Sequence, residues 1–273
     1  MRPAKRLSAG RHLRFLDVPM CLVSGGDLLS LLARRVPDAP FAYVVTPNVD
    51  HVVRVGREGE GIRNLYNQAW LSVCDSQILR RLAGFLGVDL PLNTGSDLTR
   101  AIFEQVLTAD DRITIIGCAP ATVAILQERY PGLNIAHYDP PMGFIGDEVE
   151  VERVVQFIVD HPARFVFLAV GSPRQEIVAL RVRQRDDATG LGLCIGNSLN
   201  FLAFPESRSP RWVSRLHLEW LHRLMSDPAR LWRRYLVDNP AIFAMFIKAL
   251  IAGRAIEPTA GTGEGPGSRG PWG

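Results

Sequence analysis

Apolar runs of strand length alternate along the chain with segments of helical period. The apolar runs lie at 42–46, 71–74, 112–117, 133–138, 164–171 and 192–196, and the helix-period segments lie at 76–86, 97–107, 119–129, 147–160 and 173–184. Runs that are apolar on both faces are typical of parallel strands covered by helices. The pattern predicts an α/β fold, namely a Rossmann-like open, mostly parallel sheet with helices on both faces.

The composition changes after residue 204. Residues 205–255 interleave arginine with tryptophan and end in an apolar stretch, 241–253, that contains Lys248. That stretch is shorter than the roughly 20 residues that cross a bilayer, so it can lie on a membrane without spanning it. The last residues are rich in glycine and proline. We expect a Rossmann-like domain at 1–204, a C-terminal helical appendage at 205–255 and a disordered tail at 256–273.

Charge and cysteine content exclude several classes of protein. A net charge of +3 over 273 residues is only mildly basic, so no nucleic acid partner is expected. The four cysteines are scattered singly, without a Cys/His group at zinc-binding spacing. Neither a disulfide framework nor an apolar signal segment is indicated, which favours a cytoplasmic setting.

The missing motifs narrow the chemistry further. The chain lacks a G-x-G-x-x-G after the first strand, a G-x-x-x-x-G-K-[ST] and a G-x-S-x-G. These absences disfavour nicotinamide dehydrogenases, P-loop nucleotidases and serine hydrolases. No D-x-D pair is available to hold a divalent metal. If the ligand is a diphosphate, arginines and helix termini must meet its charge.

Polar residues stand where the first two strands end. Thr46 and Asn48 end the run at 42–46, and Asp75 follows the run at 71–74. In an open parallel sheet the ligand crevice lies beyond the carboxyl ends of the strands, so these side chains would face a ligand. Asp75 is then a candidate general base for a hydroxyl group. Asn48 and Asp75 also suit helix N-caps, and both interpretations stay open.

A third strand end carries the stretch "LAVGSPRQE" at 168–176. Gly171 allows a close backbone approach, and free N–H groups at the helix start that follows can bind phosphate. The stretch therefore suits a diphosphate cradle. Ser172 and Gln175 also have the spacing of a capping box, which would explain both residues without any ligand.

Five stretches together resemble the WecG/TagA/CpsF glycosyltransferases, glycosyltransferase family 26. They are "TPNVDHVVR" (46–54), "CDSQ" (74–77), "TGSDL" (94–98), "AVGSPRQE" (169–176) and "SPRWVSRLHLEWLHRLMSDPARLWRRY" (209–235). The resemblance implies an inverting hexosyltransferase without metal or cofactor. Its donor would be a UDP-sugar and its acceptor a polyprenyl-diphosphate-linked saccharide at the inner face of the bacterial plasma membrane. The product would be exopolysaccharide, capsule, enterobacterial-type antigen or teichoic acid.

The resemblance also implies roles for individual residues. Asp75 matches the catalytic base, and a second set matches the motifs of the donor and acceptor pocket: Thr46, Asn48, Gly171, Ser172 and Gln175. We expect appendage arginines to meet the diphosphate, with Arg208, Arg215 and Arg223 as the candidates. The remaining basic and aromatic residues of the appendage would contact the membrane surface.

Two departures from the family pattern leave an alternative open. Ser76 stands where the family commonly has glycine, and Leu92 stands where it often has arginine. A non-catalytic protein of the same fold that binds a nucleotide sugar or a lipid diphosphate is therefore the second hypothesis. The sequence leaves open the sugar that is transferred and the oligomeric state, with a homo-oligomer as one option.

Overall fold

The computed structural model describes residues 12–205, 225 and 240–258, and two sheets lie within this part of the chain. The strands are β1 (His12–Phe15), β2 (Val18–Cys21), β3 (Ala42–Val45), β4 (Leu71–Ser72), β5 (Arg112–Ile116), β6 (Asn134–Tyr138), β7 (Phe165–Leu168), β8 (Leu191–Cys194) and β9 (Ile256–Pro258). The larger sheet has the order β4-β3-β8-β7-β5-β6, and all of its strands are parallel. This confirms the predicted α/β architecture.

Helices cover both faces of the parallel sheet. They are α1 (Gly25–Ala33), α2 (Val49–Glu58), α3 (Glu60–Asn67), α4 (Gln77–Phe85), α5 (Gly95–Gln105), α6 (Pro120–Arg129), α7 (Glu148–Asp160), α8 (Arg174–Arg183), α9 (Ser198–Ala203) and α10 (Ala241–Ile251). The core on one face contains side chains from α2, α3, α4, α7, α8 and α10. The core on the other face contains side chains from α1, α5, α6 and α9.

Strand β7 shows why the sequence reads as a continuous apolar run. Phe165 and Phe167 pack into one core, whereas Val166 and Leu168 pack into the other. All four side chains are fully buried. Successive side chains of a strand point to opposite faces, so a strand covered on both sides needs apolar residues at every position.

The smaller sheet was not predicted. It is antiparallel with the order β2-β1-β9, and its hairpin turns at Leu16 and Asp17, which have φ values of 48° and 68°. Such two-residue turns usually carry Asn-Gly or Asp-Gly.

The expectation of disorder from residue 256 onward is wrong for 256–258, because these residues pair with β1 as β9. Residues 259–273 lie outside the described part of the chain, and for them the tail stays a prediction.

Helix α10 packs onto the α/β core. Ile242 and Phe246 are buried, and the ring of Phe246 lies 6.4 Å from that of Phe15 in β1. The opposite side of α10 exposes large apolar side chains: Phe243, Ile247, Leu250 and Ile251.

Within the described ranges, no helix is both long enough and apolar enough to cross a membrane. Residues 206–224 and 226–239 of the predicted appendage lie outside those ranges, so its boundaries stay a prediction.

Candidate active site

Neighbouring strands β3 and β8 send the chain to opposite faces of the sheet. Strand β3 leads into α2 on one face, and β8 leads into α9 on the other. The loops therefore separate at this point and open a crevice at the carboxyl edge, where ligands bind in sheets of this kind. Thr46 lies at this edge, 5% exposed, and its Oγ1 donates to the carbonyl oxygen of Cys194 at 3.0 Å.

Backbone pairing beyond the strands places Asp75 beside the end of β3. Its N–H donates to the carbonyl oxygen of Pro47 at 2.9 Å. Its Oδ2 accepts from the N–H of Gly95, the first residue of α5, at 3.3 Å. The amino end of a helix stabilises negative charge, so this position suits a carboxylate. The capping alternative for Asp75 is wrong, because Ser76 caps α4 by accepting from the N–H of Leu79.

Three polar side chains converge on Gly95. A Cβ added at this glycine would lie 3.3 Å from Ser198 Oγ, 3.4 Å from Thr46 Oγ1 and 3.6 Å from Asp75 Oδ2. These groups follow β8, β3 and β4, respectively. A carboxylate and two hydroxyls thus surround one Cα atom that carries no side chain.

Sequence reasoning missed Ser198. It is 5% exposed, and its Oγ donates to the carbonyl oxygen of Ile195 at 2.6 Å. The rule that singled out Thr46 and Asp75, a polar residue just beyond a strand end, also applies to the residues after β8. Applying that rule there would have identified Ser198.

Asn48 caps α2, so its capping interpretation is confirmed. Its Oδ1 accepts from the N–H of Asp50 at 3.1 Å, and its own N–H donates to Nδ1 of His51 at 3.3 Å. His51 is 7% exposed and completes this reciprocal cap. The pocket roles of Thr46 and Asn48 stay predictions. The cap fixes where Asn48 lies at the sheet edge.

The loop after β7 contains the predicted cradle residues. Gly171 has a φ of 75°, in the left-handed region that glycine tolerates best. Ser172 Oγ accepts from Nη1 of Arg54 at 2.8 Å, and Arg54 also pairs with Asp50 at 2.9 Å. The capping-box alternative is wrong, because α8 has Pro173 at its N-cap position and no side-chain cap.

Gln175 is buried and engaged at both ends of its amide. It is 2% exposed, its Oε1 accepts from the N–H of Gly196 at 2.9 Å, and its Nε2 donates to Glu176 Oε1 at 2.8 Å. It therefore holds the loop that leads from β8 to Ser198. Its role as a ligand contact stays a prediction, and any such contact would compete with these two hydrogen bonds.

Glu176 is a buried acid that sequence reasoning did not single out. Its exposure is 0%, and Oε2 has no hydrogen-bond partner in the described part of the chain. Burial raises the pKa of Glu176, against the opposing effects of the hydrogen bond from Gln175, of the nearby Ser172 hydroxyl and of the charge on Arg54. The carboxyl group is thereby favoured in its protonated form, in which it needs no counter-ion.

Arg208, Arg215 and Arg223 lie outside the described residues, so their predicted contacts with the diphosphate stay predictions. The described ranges also contain no group of three His, Cys, Asp or Glu side chains arranged to hold a metal ion.

Replacing Glu176 with Gln should change how stability depends on pH. Folding raises the pKa of Glu176 above its ordinary value of 4.5. The stability that this acid contributes is fully present below pH 4.5, and it is lost as the pH rises through the pKa of the folded state. Between these two pKa values, the unfolding free energy of the wild type should fall by up to about 1.4 kcal/mol per pH unit relative to that of Glu176→Gln. Urea unfolding at several pH values from about 5 to 8 measures this difference.

The matched control is Glu128→Gln, because Glu128 is exposed on α6. Its unfolding free energy should follow the wild type at every pH. If Glu176→Gln also followed the wild type in parallel, the raised pKa of Glu176 would be disproved.

The chain is similar to glycosyltransferases of two Gram-positive bacteria. An N-acetylglucosaminyldiphosphoundecaprenol N-acetyl-beta-D-mannosaminyltransferase of Bacillus spizizenii is 32% identical over 148 residues, covering 52% of this chain and 54% of that protein. The chain thus spans about half the length of that relative. A Staphylococcus aureus protein of the same name is 26% identical over 201 residues, covering 70% of this chain and 74% of that protein.

A family model describes the same relationship over a longer stretch. The model of the glycosyl transferase WecG/TagA/CpsF family matches residues 13–255, a range that begins within β1 and extends past the end of α10. The resemblance that the sequence motifs predicted is confirmed, and the chain belongs to the WecG/TagA/CpsF family of glycosyl transferases.

Proposed function

We propose that the protein transfers a hexose or N-acetylhexosamine from a UDP-sugar to a polyprenyl-diphosphate-linked saccharide, with inversion and without a metal ion. The observation that carries this proposal is the convergence of Asp75, Thr46 and Ser198 on Gly95. A carboxylate held between two hydroxyls at a strand-end crevice suits a polar substrate that must lose a proton.

The names of the relatives support the substrate class. Those enzymes are named for transfer of N-acetylmannosamine to N-acetylglucosaminyl-diphosphoundecaprenol. For this chain we infer an acceptor of the same kind, a sugar on a polyprenyl diphosphate, and a place in cell-surface polysaccharide synthesis. UDP-N-acetylmannosamine is then the first donor to test.

The proposed reaction is a single displacement. Asp75 takes the proton of the acceptor hydroxyl while that oxygen attacks the anomeric carbon of the donor. The bond between the anomeric carbon and the donor diphosphate breaks, and UDP leaves with the electron pair from the opposite face. One glycosidic bond forms as one sugar–phosphate bond breaks, and the anomeric configuration inverts.

The hydroxyls of Thr46 and Ser198 are suited to accept hydrogen bonds from a sugar. Each already donates its proton to a backbone carbonyl oxygen, that of Cys194 or that of Ile195. A hydroxyl oxygen that donates its proton keeps lone pairs with which it accepts. Sugar hydroxyls that donate to these two oxygens would be oriented beside Asp75.

The departure at Ser76 has a structural explanation. Its side chain caps α4, which a glycine at that position would not do. It therefore gives no support to the alternative of a binding protein that has lost its chemistry. The departure at Leu92 has no structural explanation.

Membrane association fits the outer side of α10. Phe243, Ile247 and Ile251 are 51%, 56% and 83% exposed, and Lys248 lies on the same helix. Exposed apolar side chains with a neighbouring lysine suit the interface of an anionic bilayer. We infer a peripheral position on the inner face of the plasma membrane, where lipid-linked acceptors would be within reach.

Asp75→Asn should reduce turnover by about 10²- to 10⁴-fold, because the amide cannot take the proton. It still accepts from the Gly95 N–H, so UDP binding should persist. Turnover is measured as sugar transfer from UDP-N-acetylmannosamine to a synthetic lipid-linked acceptor. Binding of UDP is measured by calorimetry. Asp89→Asn is the control, since that side chain is 93% exposed. Near-normal turnover in Asp75→Asn would remove Asp75 from the mechanism.

Gly95→Ala should lower turnover by about tenfold or more, because the new methyl group enters the space between Asp75, Thr46 and Ser198. Any loss of stability should be small, because the better helix propensity of alanine offsets part of the cost of shifting the two hydroxyls, which lie 3.3 and 3.4 Å from the new Cβ. Thermal melting and the transfer assay separate the two effects. Gly84→Ala is the control, because a Cβ there meets no atom within 4 Å. Equal turnover in both variants would contradict the proposed site.

Ile251→Glu should weaken binding to phosphatidylglycerol vesicles by about tenfold or more, since burying an isoleucine contributes roughly 1.5–3 kcal/mol. Co-sedimentation measures this loss. Val36→Glu is the matched control, because Val36 is 62% exposed at a site remote in sequence. Deleting the whole C-terminal segment would instead remove the buried Ile242 and Phe246. If Ile251→Glu sedimented like the control, α10 would not be the membrane contact.

A further inference from the structure

Arg174 differs from the other arginines of α8. Arg181 pairs with Glu148 at 2.7 Å, and Arg183 donates to Gln68 Oε1 at 2.7 Å. Within the described residues, Arg174 has no hydrogen bond or ion pair, although it is partly buried at the start of the helix. A partly buried guanidinium that has no partner among the described residues is a candidate cation for a ligand.

The guanidinium of Arg174 lies against the loop after β7. A Cβ added at Gly171 would be 3.2 Å from Arg174 Nη2. Because Gly171 has no side chain, its backbone is not shielded on the side that faces the Arg174 guanidinium. An anion at this position would meet the guanidinium without a side chain in between.

A second guanidinium reaches the same loop from α2. Arg54 donates from Nη1 to Ser172 Oγ at 2.8 Å, while its Nη2 is 2.9 Å from Asp50. The ion pair with Asp50 holds Arg54 in place, and its side chain is only 19% exposed. Two cations, one from each helix, thus flank Gly171 and Ser172.

The described carboxylates near this loop lie against Arg54 and not against Arg174. Asp50 is already paired with Arg54, and Glu58 lies 3.8 Å from the same guanidinium on its far, more exposed side. Glu176 lies behind Ser172 with no exposed surface. Burial raises the pKa of Glu176, which reduces its negative charge there. Arg174 is left without a compensating carboxylate among the described residues.

The loop is joined to the proposed catalytic group by short contacts. Gln175, next to Arg174, accepts from the N–H of Gly196. Ser198 follows two residues later and lies against Gly95 beside Asp75. Strand β8 lies between β3 and β7, so the cations and the carboxylate belong to the same edge of the sheet.

We propose that Arg174, supported by Arg54, binds the diphosphate of the sugar donor at the Gly171–Ser172 loop. This inference rests on the proposed function and identifies the cation that its metal-free mechanism requires. A guanidinium can donate two parallel hydrogen bonds to phosphate oxygens. As the sugar–phosphate bond breaks, the leaving UDP gains negative charge, which the fixed guanidinium stabilises.

Calorimetry of the full chain with UDP tests this proposal. Arg174→Gln should bind UDP on the order of ten- to hundredfold more weakly, the loss expected for charge-assisted hydrogen bonds. Its affinity for uridine, which lacks phosphate, should not change when measured by ligand-observed NMR. Arg174→Lys keeps the charge without the planar fork and should be intermediate. Arg181→Gln, two turns along the same helix, is the matched control and should bind UDP like the wild type.

The results distinguish an error in the role of Arg174 from an error in the proposed donor. If the wild type binds UDP and Arg174→Gln binds it equally well, the role of Arg174 is disproved and the proposed function stands. An equal loss of uridine and UDP affinity in Arg174→Gln would also disprove a diphosphate contact. If the wild type binds no UDP, both this inference and the proposed donor are wrong. Thermal melting of each variant shows that the fold is retained, and Arg174→Lys tests the same contact should Arg174→Gln unfold.

Discussion

The parallel pairing of β3 with β4 and β8 is the constraint on which the candidate site depends. The pairing continues beyond the strands, since the N–H of Asp75 donates to the carbonyl oxygen of Pro47. On the other side of β3, Thr46 donates to the carbonyl oxygen of Cys194. These two hydrogen bonds hold three strand ends together, so the side chains that follow them are brought to Gly95. Without this pairing, the carboxylate and the hydroxyls would belong to separate loops.

A buried polar layer supports the crevice from the α8 side. Gln175 joins Gly196 to Glu176, and the neighbouring Ser172 hydroxyl accepts from Arg54. A buried polar group without a partner costs about 1–3 kcal/mol, so each of these hydrogen bonds favours one arrangement of the loops. The loops that carry the substrate contacts are thereby positioned by groups that need not touch substrate.

The C-terminal elements link the core to the proposed membrane contact. Helix α10 buries Ile242 and Phe246 against the core while exposing Phe243 and Ile251. Strand β9 follows it and pairs with β1. An apolar helix attached in this way has a defined orientation relative to the sheet. A membrane bound through its outer side would therefore meet the protein in a defined orientation.

Local sequence patterns predict the parallel sheet, most of its helices and Asp75 as a candidate, because strands buried on both faces and polar strand ends are visible in short stretches of sequence. They left open whether Asp75 caps a helix, and the structure excluded this, because Ser76 is the N-cap of α4. The hairpin at Leu16 and Asp17 lacks the usual turn residues, so only the fold revealed it. The meeting of Thr46 with the end of β8 joins residues 148 positions apart. Contacts at such separations depend on strand order, which local hydrophobic patterns do not encode, so only the tertiary structure could assemble the site.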